Sequence, residues 1–406
     1  MNTFFVDHSR NVYISYEQLV EDINSSTSYF KFFRSDNFYE IFKSIILAFV
    51  HNREICLLDS DFSDTEIKNL LGENDENLIV EFKAMSFKNF NEIIDYLKIN
   101  NRGKISLFTS GTTGLPKKIT HTFENISRNC KVCLNRLNDI WGFAYNPTHM
   151  AGIQVFLQAL LNHNTIVNLF NLNRSLIFDS ILKYKITNIS ATPTFFRLLL
   201  PVEKACQSVI QITSGGEKFN SNLFDQISKI FPRSKILNIY ASTEAGSIFA
   251  SAGEFFSIGR KYIDFVKIQE GEIFLHKNIL GSGTENKLIG DWYSTGDLVE
   301  IVCESPLKFR FLSRKNEMIN VGGYKVNPNE VEEAILSYRG IVEARVFGKS
   351  SSILGNIVCA DVVTSEKVNV IEVRSFLTAK LQEYKIPRLI NFVDQVKKTR
   401  TGKKKR

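Results

Sequence analysis

The run Thr109–Lys117 (TSGTTGLPK) combines hydroxyls, glycines and a lysine within one short segment. It follows an apolar stretch at 104–108 (KISLF) that predicts a buried strand. Glycines allow a tight turn, in which backbone N–H groups, hydroxyls and the Lys117 ammonium can surround phosphate oxygens. Pro116, rather than glycine, stands five residues after Gly111, so the run does not have Walker spacing. It predicts a phosphate-binding loop of another kind; a flexible loop without a ligand is the alternative.

This loop sequence resembles the phosphate loop of the adenylate-forming superfamily, which includes acyl-CoA synthetases, aryl-CoA ligases, stand-alone adenylation domains and luciferases. Five further segments follow in the order of that family, and the resemblance runs from about Gly103 to the last residue. They are SGGE (214–217), YASTE (240–244), YSTGD (293–297), RKNEMINVGGYKVNPNEVE (314–332) and TRTGK (399–403). Each could be an ordinary turn by itself, so the resemblance rests on their joint occurrence.

The resemblance implies an ATP site with Mg²⁺. In the family, residues at the positions of Tyr240, Thr243 and Glu244 stack on adenine, contact the phosphates and bind Mg²⁺, respectively. A carboxylate oxygen is a hard ligand that suits this ion. Asp297 would accept hydrogen bonds from the ribose hydroxyls, and Arg314 would also reach the ribose. The residues implied to bind the nucleotide are Thr109, Ser110, Gly111, Thr112, Thr113, Gly114, Lys117, Gly215, Gly216, Glu217, Tyr240, Asp297 and Arg314.

Catalysis is implied for Lys403, which would bridge the acyl carboxylate and the α-phosphate, together with Thr243 and Glu244. A compact ammonium group suits oxyanions that develop during an in-line displacement. Asn316 occupies the hinge position between two domains, where the family usually carries Asp or Lys. The residues implied to bind a thiol in a second half-reaction are Gly322, Gly323 and Tyr324.

The acid pocket is implied by His149, which lies in a segment (PTHMAG) similar to the family's His-x-x-Gly. Gly215 and Ser242 would line the same pocket, although a single histidine is more often structural. Amino-acid-activating members usually carry an Asp near this point. No Asp lies between Trp141 and Arg174, which favours a plain carboxylic acid over an α-amino acid.

The net charge of +7 is concentrated in the last ten residues, Lys397–Arg406, which hold seven Lys or Arg and no acid. The remaining chain is neutral, which argues against a nucleic-acid-binding body, although a basic tail by itself could bind nucleic acid. The resemblance instead assigns Lys403 to catalysis and leaves Lys404, Lys405 and Arg406 as solvated residues.

The order of elements predicts an α/β fold: a large N-terminal domain (1–314) of wound, largely parallel sheets with a small β-rich lobe, then a small α+β domain (315–406), which the resemblance implies to be mobile. The main elements predicted are helices at 38–51 and 370–381, a helix that opens at 327–330, strands at 55–58, 104–108, 186–191, 209–213, 236–240, 342–347 and 357–363, and a hairpin at 318–326. Cys130-x-x-Cys133 has no second pair to complete a zinc site, and its segment (123–137) reads as an amphipathic helix.

Six scattered cysteines and the lack of a signal sequence or a long apolar stretch favour the cytoplasm and no integral membrane segment. The function expected from the resemblance is ATP-dependent activation of a carboxylic acid to an acyl-adenylate, followed by transfer to a thiol. CoA is the expected acceptor, and an acyl carrier protein is the alternative. A non-catalytic nucleotide-binding protein is a further alternative, and the sequence leaves the acid and the oligomeric state open.

Overall fold

A computed structural model describes residues 3–72, 77–100, 102–109, 117–217, 221–321, 324–351, 355–398 and 404. The chain divides into two compact units, the first formed by Met1–Glu254 with His276–Tyr293 and the second by Phe255–Leu275 with Ser294–Arg406. Among the described residues no helix is long and apolar enough to cross a membrane.

The α-helices of the described residues are α1 Tyr16–Ser25, α2 Phe38–Val50, α3 Asp64–Leu71, α4 Phe90–Ile99, α5 Phe123–Ser127, α6 Met150–Leu160, α7 Arg174–Lys183, α8 Pro193–Leu198, α9 Ser221–Ile230, α10 Pro328–Leu336 and α11 Val370–Thr378. The strands are β1 Thr3–Asp7, β2 Val12–Ser15, β3 Ser28–Phe30, β4 Phe32–Arg34, β5 Glu54–Leu58, β6 Ile79–Glu81, β7 Lys104–Thr109, β8 Lys117–Thr122, β9 Ile140–Phe143, β10 Thr165–Asn168, β11 Asn188–Ala191, β12 Gln211–Gly215, β13 Lys235–Ser242, β14 Gly246–Ser251, β15 Val266–Gln269, β16 Glu272–His276, β17 Leu288–Ile289, β18 Trp292–Glu304, β19 Leu307–Arg314, β20 Ile319–Val321, β21 Tyr324–Val326, β22 Ile341–Ser351, β23 Gly355–Thr364 and β24 Leu389–Phe392. Every element predicted above has a counterpart here, except the helix through the cysteine pair.

The first unit is built on an eight-stranded sheet with the order β14-β13-β12-β11-β9-β10-β1-β2. Its inner strands run parallel, and only the edge strands β2 and β14 are antiparallel to their neighbours. A second sheet has the order β4-β5-β7-β8, in which β8 alone runs antiparallel. The expected wound, largely parallel α/β fold is therefore confirmed, because parallel strands require the intervening helices that the sequence pattern indicated.

Helix α2 shows why these elements form where they do. The Asn37 side chain accepts hydrogen bonds from the backbone N–H groups of Tyr39 and Glu40, which caps the start of the helix. Most of the helix is buried, including Phe42 and Phe49, which are fully inaccessible. It therefore belongs to the largest apolar core of the unit rather than to a solvent-facing layer.

The predicted helix through the cysteine pair is wrong. Helix α5 ends at Ser127, and Cys130 and Cys133 lie in an irregular segment before a short 3-10 turn. Tertiary partners replace helical hydrogen bonds here: the Lys131 N–H donates to Gln158 Oε1 and the Cys133 N–H donates to Asn162 Oδ1. The two thiols are free cysteines, as the structural interpretation of the pair expected.

The second unit contains the expected β-rich lobe and the smaller α+β region. In the lobe, β15 pairs with β16 and β18 pairs with β19, both antiparallel. The α+β region has a sheet with the order β21-β20-β23-β22, and β24 pairs with β23. Helix α10 starts as predicted, because the Asn327 side chain caps it and Pro328 is its first residue.

Candidate functional site

The phosphate-loop segment is bounded by strands β7 and β8, which pair antiparallel with Thr109 opposite Lys117. The predicted loop residues Ser110, Gly111, Thr112, Thr113 and Gly114 lie outside the described residues. The strand expected directly before the loop is thus present as β7, and a second strand, β8, begins at Lys117.

Three predicted segments follow strands of the same parallel sheet. His149 lies after β9, Gly216 and Glu217 lie after β12, and Thr243 and Glu244 lie after β13. Carboxyl ends of parallel strands share one edge of a sheet, and this edge is where open α/β sheets bind ligands. The tertiary structure therefore gathers residues that are up to about a hundred positions apart in sequence at one edge.

Close packing at Gly215 and a positive φ at Gly216 explain the glycine pair at the end of β12. A Cβ atom on Gly215 would lie 2.8 Å from the carbonyl oxygen of Ile239, and Gly216 has a φ of +87°. The Glu217 carboxylate is largely buried and already engaged, since Thr194 Oγ1 donates to it at 2.8 Å and Arg197 Nη1 lies 3.3 Å away. These two residues of helix α8 thus fix the position of the Glu217 carboxylate.

The turn after β13 carries the residues expected to contact phosphates and Mg²⁺. The ring of Tyr240 stacks on Phe249 with a centroid distance of 5.4 Å. Ser242 Oγ accepts a hydrogen bond from the Ala245 N–H at 3.2 Å, which closes the turn. Glu244 Oε1 accepts a hydrogen bond from the Tyr293 hydroxyl at 3.2 Å, so one carboxylate oxygen has a fixed direction.

A buried carboxylate that the sequence analysis did not assign lies against His149. His149 Nε2 is 2.8 Å from Asp59 Oδ2, and Asn146 Nδ2 donates to Asp59 Oδ1 at 3.1 Å. Thr148 Oγ1 also donates to Asp59 Oδ1. A Cβ on Gly152 would lie 2.2 Å from the Asn146 carbonyl oxygen, so the glycine of His-x-x-Gly permits this turn. The only sequence signal for Asp59 was its place directly after the predicted strand 55–58.

In the second unit Asp297 and Arg314 are directly opposite each other on β18 and β19. Arg314 Nε donates to Asp297 Oδ1 at 2.9 Å, and the Asp297 side chain is 8% exposed. The two residues expected to contact the ribose are thus neighbours. Asn316, the expected hinge, lies in a short 3-10 turn, Lys315–Glu317.

The expected thiol and catalytic positions are described only in part. Gly322, Gly323 and Lys403 lie outside the described residues. Tyr324 is 60% exposed, and its ring stacks on Tyr384 with a centroid distance of 4.6 Å. It is therefore accessible on one side and supported on the other.

The expectation that Lys404 is solvated is wrong. Its side chain is 11% exposed, and its Nζ lies 2.6 Å from Glu332 Oε2. Lys398 and Lys404 also form an isolated antiparallel bridge. A buried carboxylate on helix α10 explains why a basic residue near the end of the chain is not in solvent.

Comparisons with known proteins match both regions of the chain. The profile described as AMP-binding enzyme matches residues 105–264, and the profile described as AMP-binding enzyme C-terminal domain matches residues 330–403. The 2-succinylbenzoate–CoA ligase of Staphylococcus epidermidis is 26% identical over 392 residues, covering 87% of this chain and 82% of that protein. Acyl-coenzyme A synthetase ACSM4 of Homo sapiens is 26% identical over 346 residues, covering 74% of this chain and 59% of that protein.

Solved structures show the same fold. The o-succinylbenzoate CoA synthetase MenE of Bacillus subtilis, in complex with the acyl-adenylate intermediate OSB-AMP, has a TM-score of 0.74 and 20% identity, covering 99% of this chain and 94% of that one. ATP-bound MatB of Rhodopseudomonas palustris has a TM-score of 0.78 and 17% identity, with the same coverage. Since the two family profiles together match more than half of the residues, the chain belongs to the family of AMP-binding enzymes.

Proposed function

We propose that this protein is an AMP-forming acid–CoA ligase, which activates a carboxylic acid with ATP and transfers the acyl group to CoA. The observation that carries the proposal is the turn after β13, where Thr243 and Glu244 lie at the carboxyl edge of a parallel sheet. Relatives named as a CoA ligase and an acyl-coenzyme A synthetase support CoA, rather than an acyl carrier protein, as the acceptor.

The donor set at Glu244 suits Mg²⁺. The described residues contain no cluster of three or more His, Cys, Asp or Glu side chains that could hold a metal ion by themselves. Mg²⁺ needs no such cage, because it commonly binds one or two carboxylates and completes its shell with substrate phosphates and water. Glu244 has one oxygen oriented by Tyr293 and could offer the other. Bound there, Mg²⁺ would neutralise charge on the phosphates of ATP.

In the first half-reaction the substrate carboxylate attacks the α-phosphorus of ATP, the bond to the bridging oxygen breaks, and pyrophosphate leaves. The loop from Ser110 to Lys117 and the Thr243 hydroxyl would bind the phosphates. Lys403 would stabilise charge on the attacking carboxylate and the α-phosphate. Asp297 would accept hydrogen bonds from the ribose while Arg314 keeps its carboxylate oriented. Catalysis would then depend on positioning and electrostatics.

In the second half-reaction the thiol sulfur attacks the acyl carbon, the bond from that carbon to the AMP oxygen breaks, and AMP leaves. This step requires Lys403 to withdraw, which we assign to rotation of residues 315–406 relative to 1–314 about Asn316. The residues proposed to face CoA are Gly322, Gly323 and Tyr324. The exposed ring of Tyr324 is compatible with such contact. A cytoplasmic location, where ATP and CoA are available, is part of the same proposal.

Pyrophosphate exchange into ATP tests the first half-reaction, with a panel of aryl, short-chain, long-chain and α-amino acids. We expect exchange with at least one acid other than an α-amino acid. If no acid supports exchange although the protein binds Mg·ATP, the ligase proposal is wrong. If exchange occurs but CoA yields no thioester while a carrier protein is loaded, the acceptor is wrong and the activation step stands.

The two half-reactions are separated by Lys403→Ala. This variant should lose adenylation by at least about 100-fold, yet convert supplied acyl-adenylate and CoA to thioester at a rate near that of the parent. Lys405→Ala, two residues further along the same basic tail, is the matched control and should keep both activities. If Lys403→Ala loses both half-reactions while Lys405→Ala keeps them, the two-conformation mechanism is contradicted.

A further inference from the structure

Three successive carbonyl oxygens of the turn after β13 are held by groups from elsewhere in the first unit. His121 Nε2 lies 2.8 Å from the Thr243 oxygen, and the Gly281 N–H donates to the Glu244 oxygen at 2.7 Å. Arg128 donates to the Ala245 oxygen. Because these residues are consecutive, the backbone that carries Thr243 and Glu244 is fixed at each peptide group.

His121 lies at the centre of this arrangement. Its side chain is 1% exposed and lies on strand β8. Lys117 is four residues earlier in the same strand, so the two side chains point to the same side of the sheet. A Cβ on Gly281 would lie 2.7 Å from His121 Cε1, so the imidazole is packed directly against the segment that holds Glu244. The ring is therefore in close contact with the Gly281 backbone on that side.

The proton on His121 follows from its partner. A carbonyl oxygen can only accept, so Nε2 carries a hydrogen and donates it to Thr243. Burial lowers the pKa of His121, although its bond to the Thr243 backbone acts in the opposite direction. This shift favours the neutral ring, which can supply this donor without a buried charge.

Arg128 extends the same contact to the next segment. Besides Ala245, its Nη1 donates to the Ile279 oxygen at 2.7 Å and to Asn125 Oδ1 at 2.6 Å. Asn125 in turn donates to the Leu280 oxygen at 3.0 Å. Asn125 and Arg128, which follow strand β8, thus contact both segments 243–245 and 279–281.

We propose that His121 and Arg128 are positioning residues that hold the backbone of Thr243 and Glu244 in the geometry needed to bind Mg·ATP. This inference rests on the proposed function of Thr243 and Glu244. Neither residue touches substrate in this account; both act through the carbonyl oxygens of the turn. Strand β8 thereby joins Lys117, at the end of the phosphate loop, to the turn that carries Glu244.

The test compares His121→Leu, His121→Gln and the parent by titration with Mg·ATP in the absence of any acid, and by pyrophosphate exchange at varied Mg²⁺. His121→Leu removes the donor, so we expect Mg·ATP affinity to fall about 10- to 100-fold and the Mg²⁺ requirement to rise. His121→Gln keeps an N–H donor and should stay within a few-fold of the parent. His51→Leu is the matched control, since it removes a half-buried imidazole that stacks on Phe82.

The proposal is overturned if folded His121→Leu binds Mg·ATP like the parent, or if His121→Gln is as impaired as His121→Leu. If His121→Leu does not fold, the titration compares Arg128→Met with His121→Gln. Arg128→Met removes the donor to the Ala245 carbonyl oxygen and should lower Mg·ATP affinity, whereas His121→Gln keeps a donor to the Thr243 carbonyl oxygen. A parent that binds Mg·ATP but exchanges with no acid would contradict the ligase proposal, while the binding titration still decides the role of His121.

Discussion

Asp59 and His149, which are 90 residues apart in sequence, form a buried pair with 2.8 Å between Oδ2 and Nε2. The Asp59 side chain is 8% exposed and that of His149 is 17% exposed. His149 precedes helix α6 without capping it through its side chain, so its ring orientation is set by Asp59 rather than by the helix. The ring of His149, proposed to lie at the acid pocket, is therefore oriented by a residue that follows a strand of the second sheet.

Replacing Asp59 by Asn should destabilise the fold in a pH-dependent way. Burial raises the pKa of Asp59, but hydrogen bonds from His149, Thr148 and Asn146 and the charge of His149 outweigh it and leave this pKa below its usual value. Asp59 therefore contributes its full stability above the unfolded pKa of about 4 and loses it as the pH falls through the lower folded pKa. We expect Asp59→Asn to lower the free energy of unfolding at pH 7 by about 1–3 kcal/mol.

Urea unfolding of parent and variant between pH 7 and acid pH measures this effect, and the difference between them should shrink below about pH 4. Asp61→Asn changes an exposed carboxylate two residues away and should have little effect. A difference between parent and Asp59→Asn that grows towards acid pH would contradict the assignment.

Replacing Asp297 by Asn should weaken nucleotide binding. The change leaves the size of the side chain intact but removes the charge that Arg314 faces and an acceptor proposed for the ribose. We expect the KM for ATP to rise about 10- to 100-fold in pyrophosphate exchange. The same hairpin offers a matched control, Glu300→Gln, whose carboxylate pairs with Arg310 at 2.6 Å but is exposed. Equal effects of the two substitutions would show that Asp297 acts only in the strand pair.

Removing Lys404 should destabilise the second unit. The change Lys404→Met removes the ammonium group that lies 2.6 Å from the Glu332 carboxylate, which is 5% exposed and still accepts a hydrogen bond from the Val346 N–H. Breaking a buried ion pair by removing one partner costs about 3–5 kcal/mol. Thermal or urea unfolding of the full chain measures it.

Adding Glu332→Gln to Lys404→Met should recover part of this loss, since the charge itself is then gone. Lys405→Met, next in the tail, is the control and should unfold like the parent. If Lys404→Met and Lys405→Met behave alike, the Lys404–Glu332 pair does not contribute to stability.

The thiols should differ in reactivity. Burial raises the pKa of both Cys56 and Cys130 to about 12, so almost none of either is thiolate near neutral pH. Cys133 is exposed. A thiol-specific reagent at pH 7.5 should modify Cys133 well before Cys130, as measured by mass spectrometry of digested protein. Unfolded protein, in which all six cysteines should react alike, is the control. Labelling of Cys130 and Cys133 at the same rate in the folded state would contradict the prediction.

Local patterns were sufficient for the main elements predicted above. Strand β7 was predicted at 104–108 and helix α2 at 38–51, because each segment is rich in apolar residues and has a length typical of a strand or of a helix. The predicted helix through Cys130 is wrong because the backbone N–H groups of Lys131 and Cys133 donate to Gln158 and Asn162, which are distant in sequence, instead of to helical carbonyl oxygens. No local pattern contains such partners.

The sequence by itself determined the family of this protein and the chemistry expected of it. The motifs that contain the phosphate-loop residues, Glu244, Asp297 and Lys403 resemble those of adenylate-forming enzymes in type and order, and each motif is short and contiguous. Only the tertiary structure decided what supports them: Asp59 against His149, His121 against Thr243, and Glu332 against Lys404. These partners come from distant parts of the chain, and a buried polar group is satisfied by whichever side chain the fold brings within hydrogen-bonding distance.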